Sequence, residues 1–338
     1  MFLKIINFAT YTSLKIGTPL PVWALEKSDE VAFGALHLSQ VWDKLEKLEK
    51  DFLEKLTQAK SSINDIKDSL ERIDLSSLIE KQSDYGKQQR FKKQPPYTCI
   101  GNGYNLLVSP NAKHLVMLSP EFDYIVPKSQ TDSSEIIEVG GKTSSSSLFR
   151  FCKQHNLGGL EFLRSLPGSV GGLVKMNAGM KQYEIKDTLL EVCINGIWRS
   201  DFALSYRSSD IEGIISAARF RLKKGFDSSL LAQFQAMRST HPKEPSCGSC
   251  FRNPSGDYAG RLIEAVGLKG AKQNGVGFSP HHANFLVNFG VNSTQIKSTQ
   301  TNSCQAEFAD ALAMIELAKK RVKERFGIEL VPEVQIVR

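Results

Sequence analysis

Apolar side chains recur every three or four positions between Val41 and Glu80, in a stretch that contains no glycine or proline. We call these positions the apolar stripe: Leu45, Leu48, Phe52, Leu56, Ala59, Ile63, Ile66, Leu70 and Ile73. Their spacing predicts one face of a long helix, or of two helices folded back on each other. Because such a face is unstable in water, it needs a surface. Three remain open: a second helix of the same segment, the body of the protein, or a second copy of the chain.

Outside this segment, strand and helix patterns are mixed without regular alternation. Helices are predicted from Ser144 to His155, Leu230 to Thr240 and Ala259 to Val266, and from Phe308 to Phe326. Strands are predicted at Tyr97–Ile100, His114–Leu118, Tyr124–Val126, Ile136–Val139, Leu189–Asn195, Ile214–Leu222 and Leu330–Val337, with a short one near Ser205. This order favours the α+β class over α/β.

Composition narrows the class of protein. The 338 residues allow two or three domains, and the longest apolar runs are too short to span a bilayer. Six cysteines fit reduced thiols, and the amino-terminal residues lack a signal-peptide pattern, so we expect a cytoplasmic protein. The net charge of +7 suits phosphorylated ligands. The densest run of basic residues in the chain, Lys87–Lys93, is typical of a solvated linker rather than of a nucleic-acid site.

The stretch Pro245–Pro254 carries the strongest candidate chemistry. Two prolines bracket it, and Gly248 gives the backbone freedom beside Ser249, so we expect a shaped loop that presents a hydroxyl. An ordinary serine-rich turn is the alternative. Cys247 and Cys250 have metal-like spacing but no second pair, so we interpret them as small apolar fillers and predict no metal site.

Two glycine-rich stretches lie upstream. Gly101–Asn105 follows a predicted strand, so its backbone N–H groups are suited to a diphosphate, although a hairpin turn explains it equally. Pro167–Gly179 holds more glycine than a helix or strand tolerates, which indicates close approach of a flat cofactor or another strand. Arg207 offers a permanent charge, and Glu333 is a carboxylate in a predicted apolar strand.

Taken in order, the motifs resemble the UDP-N-acetylenolpyruvoylglucosamine reductases, the MurB family of flavoenzymes. The resemblance covers residues 7–36 and about 97–338. It rests on Thr12–Gly17, Gly101–Leu107, Gly159–Gly179, Tyr206–Ser209, Gly248–Pro254, Ala259–Gly270, His282–Asn288 and Pro332–Val334. It implies FAD as cofactor, NADPH as co-substrate, and UDP-N-acetylglucosamine enolpyruvate as the substrate that is reduced to UDP-N-acetylmuramate for peptidoglycan.

The resemblance also implies roles for single residues. Ser249 would protonate the substrate carbon, while Arg207 and Glu333 would stabilise the enol-like intermediate. The implied FAD contacts are Gly101, Asn102, Gly103, Asn105, Gly168, Ser169, Gly171, Gly172 and Asn177. Asn253 and Arg238 are the implied substrate contacts.

By this resemblance, an FAD-binding region of two lobes accompanies a separate α+β substrate domain. The expected divisions are 1–40 (first lobe), 41–96 (helical insertion and linker), 97–222 (second lobe and the rest of the first), 223–330 (substrate domain) and 331–338 (strand with Glu333). Between the preceding strand and Tyr206 there is no long tyrosine-bearing loop, as in the family's second structural type. The chain departs from the family at Lys15, Thr18, Asn102 and Tyr104, which leaves the geometry of FAD binding open.

Two other functions remain open. One is an FAD oxidoreductase of another substrate. The other is a non-catalytic assembly protein that works through the helical segment 41–80. That segment is not part of the family pattern, and we expect it to support self-association or partner binding. No nucleic-acid partner and no membrane insertion are expected.

Overall fold

The structure is a computed structural model, and it describes residues 1–37, 39–58, 73–78, 95–239, 241–290 and 306–338. Most of the predicted linker Tyr85–Pro96, with its basic run, lies outside the described residues, as do Ala59, Ile63, Ile66 and Leu70 of the stripe. Contacts among Cα atoms divide the chain into two compact units. The first unit comprises Met1–Ile6, Pro21–Asn102 and Lys113–Gln235; the second comprises Asn7–Leu20, Gly103–Ala112 and Ala236–Arg338.

Both strands and helices are present, which confirms the predicted α+β class. The described strands are β1 (Phe2–Asn7), β2 (Pro19–Leu25), β3 (Thr98–Cys99), β4 (Leu106–Val108), β5 (Leu115–Leu118), β6 (Ile125–Gln130), β7 (Ser134–Gly140), β8 (Leu157–Gly158), β9 (Gly179–Met180), β10 (Tyr183–Glu184), β11 (Leu189–Ile194), β12 (Ile197–Arg199), β13 (Leu204–Ser205), β14 (Ser208–Ser209), β15 (Ile215–Lys224), β16 (Ser246–Ser249), β17 (Lys272–Gln273), β18 (Val276–Phe278), β19 (Phe285–Asn288) and β20 (Gln335–Val337). The described α-helices are α1 (Phe8–Tyr11), α2 (Ser39–Gln58), α3 (Ser145–Gln154), α4 (Val170–Lys175), α5 (Ser229–Arg238), α6 (Ala259–Ala265) and α7 (Phe308–Phe326). Short 3-10 segments cover Lys27–His37, Leu75–Leu78, Pro120–Phe122, Glu161–Ser165 and Ile185–Asp187.

The first unit contains two main sheets. One has the order β1-β2-β5-β3, with β2 and β3 both parallel to β5. The other is six-stranded and antiparallel along β12-β11-β15-β7-β6, with β8 pairing the end of β15. Helix α3 begins where predicted, because the Ser144 hydroxyl accepts a hydrogen bond from the Ser147 N–H at 3.0 Å.

Helix α2 confirms the helical interpretation of the stripe up to Gln58 and places Leu45, Leu48 and Phe52 on the body of the first unit. Leu45 and Phe52 are buried in a cluster with Trp23 and Phe33. The Trp23 indole N–H donates to the Glu49 carboxylate at 2.7 Å. Of the three surfaces left open by the sequence, the described part of the stripe therefore uses the body of the protein.

A second set of contacts ties α2 to the sheet of the first unit. The His114 ring stacks on the Trp42 ring at 4.5 Å, and its Nε2 lies 2.6 Å from the Glu46 carboxylate. The Trp42 indole N–H donates to the Leu36 carbonyl at 2.8 Å. The hydrogen bond with His114 lowers the pKa of the Glu46 carboxyl, and burial raises that of Glu49.

The second unit is built on the antiparallel sheet β16-β19-β18-β17 and on a parallel pair, β4 with β20. Helices α6 and α7 share a core with this sheet, in which Ile263, Phe278 and Ile315 are buried. Gly327 ends α7 with a φ of 69°, as the sequence predicts for a glycine that follows an amphipathic helix. The predicted functional division of the chain into five parts stays a prediction.

Candidate active site

Ser249 lies at the end of a strand rather than in a loop, so the prediction for this stretch was wrong in part. Residues Ser246–Ser249 form β16, which pairs with β19. The register shifts between Ser246 and Ser249, and Gly248 has a φ of 80° within this irregularity. A bulge that depends on a positive φ redirects the strand locally, which explains why prolines and glycine suggested a loop. It leaves Ser249 half-buried at the strand end.

Beyond Ser249 the side chain of Asn284 replaces the neighbouring strand. The Phe251 N–H donates to Asn284 Oδ1 at 3.0 Å, and Asn284 Nδ2 donates to the Phe251 carbonyl at 2.8 Å. The Cys250 N–H donates to the Asn284 carbonyl at 2.7 Å. Because Asn284 is 4% exposed, these hydrogen bonds are shielded from water and hold the backbone after Ser249 in one place.

Glu333 lies directly beside this backbone. Its N–H donates to the Cys250 carbonyl at 2.8 Å, and Phe251 and Pro332 form an isolated antiparallel bridge. The strand itself begins only at Gln335, so the prediction that Glu333 lies within a strand was wrong. Pro332 lacks an N–H, which limits strand pairing at this point. Ser249 and Glu333, which are distant in sequence, are thus brought to adjoining backbone segments of the second unit.

The thiols that flank Ser249 belong to the core. Cys247 and Cys250 are 3% and 0% exposed, as expected for apolar fillers. Burial raises the pKa of the Cys247 thiol to about 12 and raises that of Cys250 well above its ordinary value. Among the described residues, no group of histidine, cysteine and carboxylate side chains could hold a metal ion.

Arg207 belongs to the first unit, where it occupies the turn between β13 and β14. Its φ is 54°, a backbone region that residues with a side chain adopt rarely and at a cost. Its Nη2 donates to the Gly179 carbonyl at 2.9 Å, and its guanidinium lies 5.6 Å from the Tyr206 ring. A strained backbone that holds a permanent charge is typical of a functional position.

The two glycine-rich stretches meet within the first unit. A methyl group placed at Gly101 would lie only 2.7 Å from the Ser169 hydroxyl oxygen. Ser169 is 3% exposed and precedes α4, yet its side chain makes no capping hydrogen bond. Ser144 and Ser169 form an antiparallel bridge. The sequence therefore identified two loops that lie against each other, and the absence of a side chain at Gly101 makes room for this.

Several predicted FAD contacts also make contacts within the fold. Asn177 is 0% exposed, and both N–H groups of its amide are used, toward the Glu184 carboxylate at 3.2 Å and the Ser205 carbonyl at 3.1 Å. A methyl group added at Gly103 would lie 3.0 Å from the Tyr11 carbonyl oxygen. One added at Gly171 would lie 3.1 Å from the Ile215 carbonyl oxygen. Asn105 Nδ2 donates to the Glu333 carbonyl at 3.0 Å.

Sequence reasoning missed two lysines in the first unit, Lys4 on β1 and Lys142 after β7. Burial lowers the pKa of both amines; the charge of Lys142 also lowers the pKa of Lys4, whereas Cys99 and Asp123 act to raise that of Lys142. Among the described residues, neither amine has an ion pair or a hydrogen bond. The loop of Lys142 continues to Thr143, whose carbonyl accepts the Val170 N–H at 2.9 Å. A lysine directly after Gly140-Gly141 was the available sequence signal.

The two predicted substrate contacts lie in the second unit and are exposed. Asn253 Oδ1 accepts the N–H of Ala259, the first residue of α6, at 3.1 Å. Arg238 is the last residue of α5 and lowers the pKa of nearby His241, although burial of that ring is the larger cause. His241 packs against Phe285 at 4.7 Å, and His282 packs against the same ring at 4.8 Å.

Comparison with known proteins first identifies the class of protein to which this chain belongs. Residues 240–337 match a family model described as "UDP-N-acetylenolpyruvoylglucosamine reductase, C-terminal domain". A solved structure titled as a UDP-N-acetylenolpyruvylglucosamine reductase (MurB) from Thermus caldophilus aligns over 100% of both chains, with a TM-score of 0.65 and 26% identity. The fold and the matched region are those of an oxidoreductase.

Similarity to curated relatives then identifies the family. A UDP-N-acetylenolpyruvoylglucosamine reductase of Helicobacter hepaticus is 53% identical over 240 residues, which cover 70% of this chain and 84% of the relative. A reductase of the same name from Helicobacter pylori strain 26695 is 38% identical over 335 residues, 98% of each chain. The chain belongs to the UDP-N-acetylenolpyruvoylglucosamine reductase family, which confirms the resemblance seen in the motifs. Within the described part of the chain, no helix is long and apolar enough to cross a membrane.

Proposed function

We propose that this chain reduces UDP-N-acetylglucosamine enolpyruvate to UDP-N-acetylmuramate, with FAD as cofactor and NADPH as reductant. The observation that carries the proposal is the contact between the Ser249 segment and Glu333, where the Glu333 N–H donates to the Cys250 carbonyl at 2.8 Å. Family membership supports the same reaction, since the names of the relatives state their substrate. The exposed Asn253 and Arg238 are proposed to contact the nucleotide sugar.

The first unit has groups that fit the diphosphate of FAD. Gly101 leaves room beside the buried Ser169 hydroxyl, and Gly168 precedes it with a φ of 153°. Lys142 supplies a partly buried amine that forms no ion pair among the described residues, and a diphosphate would provide a partner. We propose Gly101, Asn102, Gly168, Ser169 and Gly172 as direct contacts. The other four predicted contacts, Gly103, Asn105, Gly171 and Asn177, are assigned to the framework of the site.

FAD, when bound, supplies hydride transfer, with NADPH as the source and the terminal carbon of the enol ether as the destination. The protein handles the charge and the proton that this transfer requires. Hydride addition leaves negative charge on the second carbon, which spreads into the adjacent carboxylate. Ser249 donates its hydroxyl proton to that carbon, since a carbanion-like centre is basic enough to take a proton from an alcohol. The saturated lactyl ether is then complete.

Arg207 and Glu333 stabilise the intermediate in this proposal. Arg207 carries a permanent positive charge, which favours the negative charge that develops on the substrate carboxylate. Glu333, in its protonated form, donates a hydrogen bond to the same group. Its backbone is fixed by the Cys250 carbonyl on one side, so its carboxyl is placed before substrate arrives.

Anaerobic titration tests the function in two steps. The purified protein should absorb in the flavin bands, NADPH should bleach them, and UDP-N-acetylglucosamine enolpyruvate should restore them with release of UDP-N-acetylmuramate. A protein that carries no flavin after reconstitution with FAD would favour the non-catalytic assembly role. Bleaching by NADPH without reoxidation by this substrate would favour an oxidoreductase of another substrate.

We propose a cytoplasmic location, where NADPH is available. The described cysteines are all free, which suits a reducing compartment: Cys99, Cys152, Cys193, Cys247 and Cys250. Self-association through residues 41–80 stays a prediction. The reason to expect self-association was that the apolar stripe needs a surface. This reason is weaker than the sequence suggested, because the stripe positions whose side chains are described pack within the first unit.

A further inference from the structure

The backbone on both sides of the candidate active site is held by asparagine side chains rather than by regular strand pairing. Strand β16 ends at Ser249, and β20 begins only at Gln335. Ser249 and Glu333 therefore lie at the ends of strands, where ladder hydrogen bonds stop. Such positions drift unless other groups fix them.

Asn284 fixes the segment that follows Ser249. Its buried amide pairs with both the N–H and the carbonyl of Phe251, at 3.0 and 2.8 Å. Its own carbonyl accepts the Cys250 N–H at 2.7 Å. A single residue thus binds three backbone groups in the two residues after Ser249, as a neighbouring strand would.

Asn105 fixes Glu333 from the other side. Its Nδ2 donates to the Glu333 carbonyl at 3.0 Å, and its own carbonyl accepts the Gln335 N–H at 3.0 Å. The Glu333 N–H is already bound to the Cys250 carbonyl at 2.8 Å. Both backbone groups of Glu333 are therefore committed, one to the Ser249 segment and one to Asn105.

We propose that Asn284 and Asn105 are positioning residues that hold Ser249 and Glu333 for the protonation step. This inference rests on the proposed function of those two side chains. Five residues form one continuous chain of hydrogen bonds beside Ser249: Asn105 to Glu333, Glu333 to Cys250, and Cys250 and Phe251 to Asn284. Neither asparagine touches the substrate in this proposal.

Loss of the side-chain amide of Asn105 or Asn284 should displace Ser249 and Glu333 but leave their side chains present. Without Asn284, the buried N–H and carbonyl of Phe251 lose their partners, and the segment must shift to find others. A displacement of about 1 Å at reacting groups can cost about a hundredfold in rate. The step that delivers hydride to the flavin does not use Ser249 or Glu333 in the proposed function, so it should be spared.

The experiment compares Asn105→Ala, Asn105→Asp and Asn284→Ala by stopped-flow, with each half-reaction measured separately. For the two alanine variants, flavin reduction by NADPH should stay within about twofold of the wild type. Flavin reoxidation by UDP-N-acetylglucosamine enolpyruvate should slow by about tenfold to a hundredfold. Met314→Ala is the stability control, because Met314 is 2% exposed in α7 and shares the core of Cys250 and Phe251 without belonging to the hydrogen-bonded chain. It should lower the melting temperature without separating the two half-reactions.

Asn105→Asp gives a readout that a purely structural role would not move. At neutral pH its carboxylate is an acceptor that faces the Glu333 carbonyl oxygen, so reoxidation should be slower than in Asn105→Ala. At low pH the protonated carboxyl can donate again, so the rate relative to the wild type should recover. The Asn105→Ala ratio should stay flat with pH.

Equal loss in both half-reactions, or no loss in either, would overturn the positioning role. A flat pH ratio for Asn105→Asp would overturn it for Asn105. If Asn284→Ala fails to fold, Asn284→Ser, which keeps one donor and one acceptor, takes its place under the same criteria. Failure of the proposed function is distinguishable, because the wild type would then lack substrate-driven reoxidation or Ser249→Ala would reoxidise normally.

Discussion

The two units treat their buried polar groups in opposite ways. In the second unit, the backbone around Ser249 and Glu333 is tied by internal hydrogen bonds of 2.7–3.0 Å. In the first unit, the amines of Lys4 and Lys142 are half-buried and form no ion pair or hydrogen bond among the described residues. The first arrangement is complete without a ligand, whereas in the proposed function the diphosphate of FAD completes the second. The contrast suggests that the second unit sets geometry and the first unit binds charge.

Of the variants that test this contrast, Ser249→Ala should have the largest effect. Loss of the proton donor should slow flavin reoxidation by substrate by roughly a hundredfold to ten-thousandfold, while NADPH still bleaches the flavin at a near-normal rate. Stopped-flow absorbance measures both steps. Ser246→Ala, in the same strand, is the matched control and should leave both unchanged. A Ser249 variant that slows both steps together would mark a structural residue.

Glu333→Gln should have the next largest effect. The amide keeps the shape and hydrogen bonding but not the ionisation, so we expect about a hundredfold loss in the substrate half-reaction. Flavin content after purification should match that of the wild type. Glu329→Gln, at an exposed position four residues before Glu333, serves as the control. Release of flavin from the Glu333 variant would assign this side chain to the scaffold instead.

Trp42→Phe tests whether helix α2 belongs to the framework of the first unit. The change removes the indole N–H that donates to the Leu36 carbonyl at 2.8 Å and weakens the stack on His114. We expect a loss of about 1–3 kcal/mol in the free energy of unfolding, measured by denaturant titration. Trp198→Phe keeps an aromatic ring under Arg219 and should cost less than about 0.5 kcal/mol. If the Trp42 variant is as stable as the wild type, helix α2 would be assigned to association rather than to the framework of the first unit.

Lys142→Met tests the charge-binding side of the comparison. Removal of one cation from a diphosphate contact should weaken FAD retention by about tenfold, or about 1.4 kcal/mol, with little change in the rate of the bound enzyme. Fluorescence titration of the apoprotein with FAD measures this. Lys142→Arg should restore most of the affinity, and Lys128→Met, whose amine pairs with Glu138 at 3.2 Å, should not change it. Equal affinity in Lys142→Met would remove this lysine from the site.

The smallest effect concerns pH and the second unit. Burial lowers the pKa values of His241 and His282, so the folded state resists protonation while the unfolded chain binds protons near pH 6.5. Stability should therefore be full above about pH 6.5 and should fall as the pH drops below it. Melting temperatures from pH 8 to 5 should show this slope, and His241→Phe should reduce it. An equal slope in the variant would assign the effect to other groups.

Local patterns predicted the elements well, because their signals lie within a few residues. The spacing of the apolar stripe identified α2, the Ser144 cap identified α3, and the glycine after Phe326 identified the end of α7. The motifs also identified Ser249 and Glu333, which the structure brings to adjoining segments. Their catalytic roles stay predictions.

Long-range contacts account for what the sequence did not reveal. Asn105 and Glu333 are 228 positions apart, so no local pattern shows that their groups meet. Asn177 matched a cofactor motif, yet its amide is used by the fold. Lys4 and Lys142 lie in unrelated segments, and only the packing of the first unit reveals that their charges interact.

The order in which the second unit can assemble follows from its composition. It takes Asn7–Leu20 and Gly103–Ala112 from early in the chain and combines them with Ala236–Arg338. Strand β4 acquires its parallel partner only when Gln335–Val337 reach it. During synthesis, the early pieces must therefore wait for nearly the whole chain, whereas the segments of the first unit are already present by Gln235. Because closing such long loops is slow, we expect the first unit to fold earlier and the pairing of the Ser249 segment with Glu333 to form last.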